Sequence, residues 1–214
     1  MNEYKIIQGD CLEVMRGMEA NSVDIVITDP PYGINENYKK NLSREKLAKP
    51  KDYGQYNWDT IRVSKEYISE IMRVSKQQVI FGGNYYADML PPSSSWIVWD
   101  KDNGDNDFAD CELAWTSHKK AVRKIRWKWS GFLKEKPEER VHPTQKPIGV
   151  MNWIIVNYTK EGDTILDPFC GSGSTGVAAL QMGRNFIGIE LNSDYVELSR
   201  KRIGHSMPLF SKNT

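Results

Sequence analysis

The sequence lacks the features that mark several classes of protein. Its three cysteines, Cys11, Cys111 and Cys170, form no C-x-x-C pair, which argues against a disulfide framework and a zinc site and favours a reducing compartment. The first residues lack the basic and apolar regions of a secretory signal peptide, and no apolar run approaches the roughly 18 residues that a membrane span needs. We therefore expect a cytoplasmic protein that has no membrane partner.

The chain also lacks an excess of charge of either sign. It carries 29 basic and 28 acidic residues, so bulk charge does not indicate a nucleic-acid partner. The distribution is uneven, however, because residues 119–134 hold seven Lys or Arg and no acid, and residues 38–51 hold six against one Glu. These clusters lie in two polar stretches, 34–60 and 118–141, and long loops inside a compact domain are usually functional or disordered.

Short apolar runs rich in β-branched residues alternate with segments of helical periodicity, which predicts an α/β domain with a mostly parallel sheet. The length suits a single domain over residues 1–214, in which 34–60 is an inserted loop. Helices are predicted at 62–75, 147–158, 174–182 and 193–203. Seven strands are predicted, at 4–10, 23–29, 77–83, 95–101, 111–117, 163–167 and 185–190.

Five of the predicted strands end in a polar residue or a glycine. Ligands of open α/β sheets bind beside the carboxyl ends of strands, although turns by themselves also favour Asp and Gly. The residues that would share this rim are Asp10, Asp29, Gly82, Asp167 and Glu190.

A glycine turn indicates a nucleoside site. The segment DTILDPFCGSGSTG runs from a predicted strand to a predicted helix and fits G-x-G-x-x-G with Gly171, Gly173 and Gly176. Glu190 ends the next strand, where a carboxylate can grip ribose hydroxyls. NAD, FAD and S-adenosylmethionine all suit such a site. Asp167 just before the glycines favours S-adenosylmethionine, because it would pair with a methionine ammonium and repel a pyrophosphate.

The segment Asp29-Pro30-Pro31-Tyr32 adds chemistry. Two prolines fix φ and remove two N–H donors, so we expect a stiff turn whose carbonyls point outward without competing donors nearby. The Asp29 carboxylate and the Pro30 carbonyl would be paired acceptors. Such a pair can grip the two hydrogens of an exocyclic base amine and free its lone pair to attack a sulfonium methyl. The base must be flipped from the duplex, and the Tyr32 ring would hold it.

These motifs together resemble those of the DNA amino-methyltransferases. Their order, DPPY before DPFCGSGST, resembles the β group, a circular permutation of the usual arrangement. Other segments fit as well: IIQGD (6–10), FGG (81–83), WIVWDK (96–101), HPTQKP (142–147) and LNSDYVELSRKRI (191–203). The resemblance covers nearly the whole chain. It implies the Rossmann-like fold of S-adenosylmethionine-dependent methyltransferases, with a seven-stranded sheet and one antiparallel strand, in the cytoplasm of a bacterial or phage-infected cell.

The resemblance also implies roles for individual residues. Asp29, Pro30, Pro31 and Tyr32 would hold the target base. Glu190 would bind the ribose of the cofactor, and Asp10, with Cys11 beside it, would bind the adenine. The methionine part would lie among a larger set: Asp167, Phe169, Gly171, Ser172, Gly173, His142, Pro143, Thr144 and Lys146.

Only 24 residues, 118–141, occupy the place of the family's target-recognition region. Their basic side chains would neutralise phosphates, and Trp127 and Trp129 would pack on sugar or wedge into the base stack. The alternative is a solvated basic hairpin with a core tryptophan pair. The candidate DNA contacts are Lys39, Lys40, Arg123, Lys124, Arg126, Trp127 and Lys128.

So short a region predicts a short or relaxed recognition sequence, or help from a second subunit. The basic loop 38–51 follows the Asp-Pro-Pro-Tyr turn, and we expect it to close over DNA. A homodimer and a cognate restriction enzyme are both left open as partners.

Adenine N6 is the favoured target, because N4-cytosine enzymes of this family more often carry Ser where this chain has Asp29. Cytosine C5 is excluded as a target, since no cysteine follows a proline. Amino-methylation of RNA or of a protein glutamine is disfavoured. A dinucleotide-dependent oxidoreductase would leave DPPY and HPTQKP unexplained, and a catalytically dead cofactor-binding regulator would not need an intact Asp29.

Overall fold

The computed structural model describes residues 2–34, 62–104, 109–130, 133–134 and 145–206. Its centre is an eight-stranded sheet in the order β1-β10-β9-β2-β3-β5-β4-β6. The strands are β1 (Tyr4–Gln8), β2 (Val23–Thr28), β3 (Ser75–Phe81), β4 (Trp96–Asp100), β5 (Cys111–Thr116), β6 (Arg123–Arg126), β9 (Thr164–Asp167) and β10 (Asn185–Glu190). Two short strands, β7 (Trp129–Ser130) and β8 (Leu133–Lys134), form a separate antiparallel pair.

All seven predicted strands are present, and the central ones, β2, β3 and β9, are largely buried apolar runs. In β2, for example, every residue except Asp24 is buried. Two apolar clusters cover the two faces, one around Ile154, Ala178 and Phe186 and the other around Ile71, Tyr86 and Trp115. Among the described strands of the sheet, β5 alone is antiparallel to its neighbours, which confirms the expected single antiparallel strand.

The predicted count of seven strands is wrong by one. Strand β6 pairs in parallel with β4 at the edge of the sheet and adds an eighth strand inside the stretch 118–141. Its sequence, Arg-Lys-Ile-Arg, buries Ile125 alone, so it has no apolar run from which a strand could be predicted. The edge position explains this composition, since charged side chains on an edge strand discourage pairing with other chains.

Five α-helices are described: α1 (Cys11–Arg16), α2 (Lys65–Val74), α3 (Ile148–Tyr158), α4 (Ser174–Gln181) and α5 (Ser193–Ser206). The last four confirm the four predicted helices. Helix α1 was not predicted, because six residues are too few to show a helical period. Its start is set by Asp10, whose carboxylate accepts from the backbone N–H of Leu12 at 2.7 Å. No helix in the described part of the chain is long and apolar enough to cross a membrane.

The parallel strands bring their carboxyl ends to one edge of the sheet. Strands β1, β10, β9, β2 and β3 are consecutive neighbours, so the residues that follow them form a continuous rim. Four of the five residues predicted for this rim, Asp10, Asp29, Asp167 and Glu190, line one cavity, whereas Gly82 does not.

Candidate active site

The cavity at this rim has a volume of about 690 Å³, within the range of sites that hold a nucleoside-sized ligand. Its walls come from the turns after β1, β2, β9 and β10, from the start of α2 and from the residues just before α3. Ten of the residues predicted to bind base or cofactor line it: Asp10, Cys11, Asp29, Pro31, Lys146, Asp167, Phe169, Gly171, Ser172 and Glu190. Pro30 and Tyr32, which were also predicted to hold the base, do not line the cavity. His142, Pro143, Thr144, Lys39 and Lys40 lie outside the described residues, so their predicted roles stay predictions.

The glycine turn between β9 and α4 is shaped by close packing. Gly173 precedes α4 with a φ of +79°, a conformation that residues with a Cβ rarely adopt. A Cβ on Gly173 would also approach Cβ of Ser199 to 3.0 Å. Gly173 does not line the cavity; it sets the path of the turn, while Gly171 and Ser172 form the wall.

Glu190 fixes this turn from the neighbouring strand. Its Oε2 accepts from the backbone N–H of Gly171 at 2.8 Å, and its Oε1 accepts from that of Asn192 at 2.9 Å. Burial raises the pKa of the carboxyl, and the backbone hydrogen bonds act in the opposite direction. Each carboxylate oxygen has a second lone pair, so the group can hold the turn and still accept from a ligand hydroxyl.

Asp167 is almost fully buried beneath the turn, at 4% exposure. Its Oδ1 accepts from the Thr28 hydroxyl at 2.8 Å and the Phe169 N–H at 3.1 Å, and its Oδ2 accepts from the Thr175 hydroxyl at 2.6 Å. Burial raises the pKa of Asp167 to about 6, although the hydroxyl hydrogen bonds lower it. Both oxygens thus anchor the turn, a role that the sequence did not reveal.

The cysteines at the cavity are poor nucleophiles. Burial, together with the nearby Asp10, raises the pKa of Cys11 to about 12. Burial likewise raises the pKa of Cys170 well above its usual value. Both thiols stay protonated at neutral pH, which fits packing roles.

Asp29 lies at the end of β2 and accepts from two side chains. Its Oδ1 accepts from the Tyr32 hydroxyl, and its Oδ2 accepts from the ammonium of Lys146. Lys146 Nζ also lies 3.1 Å from Oε2 of Glu112, and Lys101 Nζ lies 2.8 Å from Oε1 of Glu112. Positive and negative groups therefore alternate in a row from Lys101 to Asp29.

The neighbouring charges in this row shift the pKa of each of its members. Burial raises the pKa of Asp29, and the Lys146 cation opposes this. Burial also acts to raise the pKa of Glu112, but the attraction of Lys146 and Lys101 outweighs it and lowers that pKa to about 2. Burial acts to lower the pKa of Lys146, yet Asp29 and Glu112 together raise it. The sequence alone does not single out Glu112 as a site residue, although an acid within the apolar strand CELAWTS is unusual.

Tyr32 lies in an aromatic group formed by the turn after β3. Its ring stacks on Tyr85 with centroids 4.8 Å apart and planes at 17°, and it meets the Tyr86 ring edge-on at 6.3 Å. The Tyr86 hydroxyl donates to the Pro31 carbonyl at 2.6 Å and lies 3.2 Å from the Pro30 carbonyl. The expectation that the turn's carbonyls have no donor nearby is therefore wrong, because the FGGNYY segment packs Tyr86 beneath the prolines.

The basic edge strand β6 is exposed but partly paired. Lys124 and Arg126 lie 2.8 Å and 3.5 Å from Oδ2 of Asp100, and Lys128 lies 4.0 Å from Asp102. Arg123 is also exposed. The side chains of Lys124 and Arg126 keep more than half of their surface in solvent, so they remain accessible to a large anionic ligand.

Trp127 and Trp129 pack against the apolar cluster beneath β4 and α3. A Cβ on Gly149, the second residue of α3, would lie 2.1 Å from the Trp127 ring, and Trp99 Nε1 donates to the Trp127 carbonyl at 2.9 Å. This packing favours the alternative of a core tryptophan pair over a wedge in the base stack. Contact of Trp127 with DNA stays a prediction.

The chain is similar in sequence to known DNA methylases. A family model described as DNA methylase, for N6 and N4 enzymes, matches residues 47–201, more than two thirds of the chain. Type II methyltransferase M2.MboI of Moraxella bovis is 26% identical over 96% of this chain and 89% of its own length.

Two solved structures have the same fold. The M1.HpyAVI complex with S-adenosylmethionine is 27% identical, with a TM-score of 0.58 over 94% of this chain and 98% of that one. The cytosine-N4-specific PvuII DNA methyltransferase is 16% identical, with a TM-score of 0.64 over 94% of this chain and 86% of that one. At that identity, the PvuII comparison bears on the fold alone.

Proposed function

The chain belongs to the family of N6- and N4-specific DNA methylases, and we propose that it methylates adenine N6 in DNA with S-adenosylmethionine as the methyl donor. The observation that carries the proposal is the position of Asp29. Its carboxylate lies at the end of β2 and lines the same cavity as the glycine turn that follows the neighbouring strand β9. A buried acceptor for a base amine and a nucleoside site thus share one cavity.

The cavity residues fit the donor. Asp10, at the start of α1, would bind the adenine of the cofactor. Glu190, whose oxygens each keep a second lone pair, would accept from the ribose hydroxyls. Gly171, Ser172 and Phe169 form the wall for the methionine part, with Asp167 and Gly173 holding the turn behind them. Once bound, the cofactor supplies an electrophilic methyl group on a sulfonium.

Asp29 and Pro30 act on the amine. The N6 lone pair is conjugated into the adenine ring, so the amine is a weak nucleophile. One N–H donated to the Asp29 carboxylate and the other to the Pro30 carbonyl favour a pyramidal nitrogen with a free lone pair. With the cofactor bound, the new N–C bond would form as the S–C bond breaks and its electron pair returns to sulfur. The extra proton would leave the nitrogen afterwards for water, so that no base is needed before attack. Positioning and fixed electrostatics carry the rate.

Tyr32 orients both the Asp29 carboxylate and the flipped nucleobase. Its hydroxyl donates to Asp29, and its ring lies in the aromatic group with Tyr85 and Tyr86. A flipped adenine needs such an aromatic surface once it has left the duplex stack. Tyr85, at 38% exposure, extends that surface towards solvent and is a contact that the sequence did not single out.

DNA would approach along the side of the sheet that carries β6. Arg123, Lys124 and Arg126 offer exposed cations there, and Lys128 a partly exposed one. Phosphate contacts need no sequence-specific geometry. We propose that the chain is a single methyltransferase domain in which 118–141 serves target recognition. A short or relaxed recognition sequence is expected from its size.

N4-cytosine methylation is the alternative, because it uses the same amine chemistry and the matching family model covers both N6 and N4 enzymes. Incubation with labelled S-adenosylmethionine and unmethylated DNA, followed by digestion to nucleosides, decides between them. The proposal expects the label in N6-methyladenine. Label in N4-methylcytosine would establish the alternative, and no transfer to DNA would overturn the function itself.

A further inference from the structure

Lys146 lies between two carboxylates that compete for its ammonium. It is 9% exposed, its Nζ donates to Oδ2 of Asp29, and the same Nζ lies 3.1 Å from Oε2 of Glu112. The two acids come from different strands, Asp29 from the end of β2 and Glu112 from the start of β5. The cation therefore has a second acceptor within reach that does not require a large movement.

The Glu112 carboxylate is only half satisfied. Its Oε1 is paired with Lys101 at 2.8 Å. Its Oε2 is buried and has no hydrogen-bond partner of acceptable angle among the described residues, although Lys146 is near enough for an ion pair. A buried acceptor without an aligned donor is costly, so the site favours any arrangement in which Lys146 turns fully towards it.

The proposed reaction poses a problem that this arrangement solves. Both oxygens of Asp29 are engaged, one by Tyr32 and the other by Lys146. An amine that enters the site must donate to Asp29, and a carboxylate already shared with an ammonium is a weaker acceptor. Moving a buried ammonium into an apolar region would be very unfavourable, so it must pass to another anion.

We propose that Lys146 is a positioning residue that transfers its hydrogen bond from Asp29 to Glu112 when the base amine enters, with Lys101 holding Glu112 in place. The inference rests on the proposed function and deepens it. Lys146 stays protonated throughout, and no covalent bond changes. Without substrate the cation neutralises Asp29; with substrate it leaves Asp29 anionic and facing the amine.

A double-mutant cycle on Glu112→Gln and Lys146→Gln tests the transfer. Glutamine keeps the shape of Glu112 but removes the charge that attracts Lys146. Glu112→Gln should lower kcat by about tenfold or more while the Kd for S-adenosylmethionine changes by less than about twofold. In the Lys146→Gln background, at a pH above the acid limb of activity, the same substitution should change kcat by less than about twofold, because the residue it acts through is gone.

Asp24→Asn is the matched control. Asp24 is a partly exposed carboxylate paired with Lys76 at 2.8 Å at the opposite end of the sheet, so its loss should leave kcat unchanged. If Glu112→Gln lowered kcat equally in the unmodified protein and in Lys146→Gln, or left the unmodified protein fully active, the proposed hydrogen-bond transfer would be overturned. If the unmodified protein methylates no DNA, the proposed function fails instead, so the two failures are distinguishable.

A second measurement needs no turnover. A structure of the protein with S-adenosylhomocysteine and target DNA should show Lys146 Nζ hydrogen-bonded to Glu112 and no longer to Asp29. An ammonium still bonded to Asp29 while the base amine is bound would contradict the proposal.

Discussion

The ring of Tyr32 lies over Gly82, where a Cβ would come within 2.1 Å of ring atom Cε1. Gly82 has a φ of +66° and is the middle residue of the FGG segment, so it combines an unusual backbone conformation with a close approach. The glycine thereby lets the turn after β3 support the turn that carries Asp29.

Gly82→Ala should therefore displace Tyr32 and reduce methyl transfer by about tenfold to a hundredfold, since small displacements at a reacting centre are costly. Gly104→Ala is the matched control, because Gly104 has a φ of +68° with nothing within 4 Å of a Cβ. Both variants carry the same backbone cost of roughly 1–2 kcal/mol. Similar rates for the two, measured by transfer of labelled methyl groups, would show that the Tyr32 contact does not matter.

Lys146→Gln should move the acid limb of activity to higher pH. Asp29 must be ionised to accept from the amine, and its pKa is already raised by burial against the opposing effect of Lys146. Removing the cation leaves burial, Glu112 and the Tyr32 hydrogen bond as the remaining influences, and the first two raise the pKa further. The profile of kcat/KM against pH measures this shift. Lys76→Gln, which breaks only the surface pair with Asp24, should leave the profile in place; a shift in the opposite direction for Lys146→Gln would contradict the account.

Asp167 should make the protein less stable as pH rises. Its pKa is about 6 in the folded state against an ordinary value of 3.8. The folded state therefore holds a proton between pH 4 and pH 6 that the unfolded state has lost, and that stabilisation disappears as pH rises through 6. The Asp167→Asn variant has no carboxyl group at this position, so its stability does not carry this pH dependence. The unfolding free energy of the unmodified protein minus that of Asp167→Asn should fall by about 2–3 kcal/mol between pH 4 and pH 7, as measured by urea denaturation. A difference that is flat or rises with pH would rule this out.

Trp127 and Arg126 are neighbours with different expected roles. Trp127→Ala should lower the unfolding free energy by about 2–4 kcal/mol, because it empties the contact with Gly149, and it should leave the salt dependence of DNA binding unchanged. Arg126→Ala should leave stability nearly unchanged but reduce the slope of log Kd against log salt by about one. The reverse pattern would assign the tryptophan to DNA and the arginine to the fold.

Features that depend on local sequence could be predicted. The seven strands and four helices follow from runs such as VDIVIT and from helical periodicity, and the glycine turn follows from the spacing of Gly171, Gly173 and Gly176. The shared rim follows from the rule that parallel strands end at the same edge. These predictions needed no knowledge of which side chains meet.

Features that depend on distant contacts could not be predicted. Lys146 is 117 positions from Asp29 in the sequence, and nothing local to either residue, or to Glu112, indicates that the three meet. The Tyr86 hydroxyl beneath Pro31 likewise depends on how the turn after β3 packs. Strand β6 has a single buried residue, Ile125, and forms because the edge of β4 offers free backbone groups.

The central claim is that Asp29 holds the reacting amine beside the cofactor. The most direct measurement compares methyl transfer to DNA and affinity for S-adenosylmethionine in the unmodified protein and in Asp29→Ala. The account predicts transfer at background level in the variant, with a Kd for the cofactor within about threefold of the unmodified value, because Asp29 serves the amine rather than the nucleoside site. Methyl transfer by Asp29→Ala at the rate of the unmodified protein would contradict it.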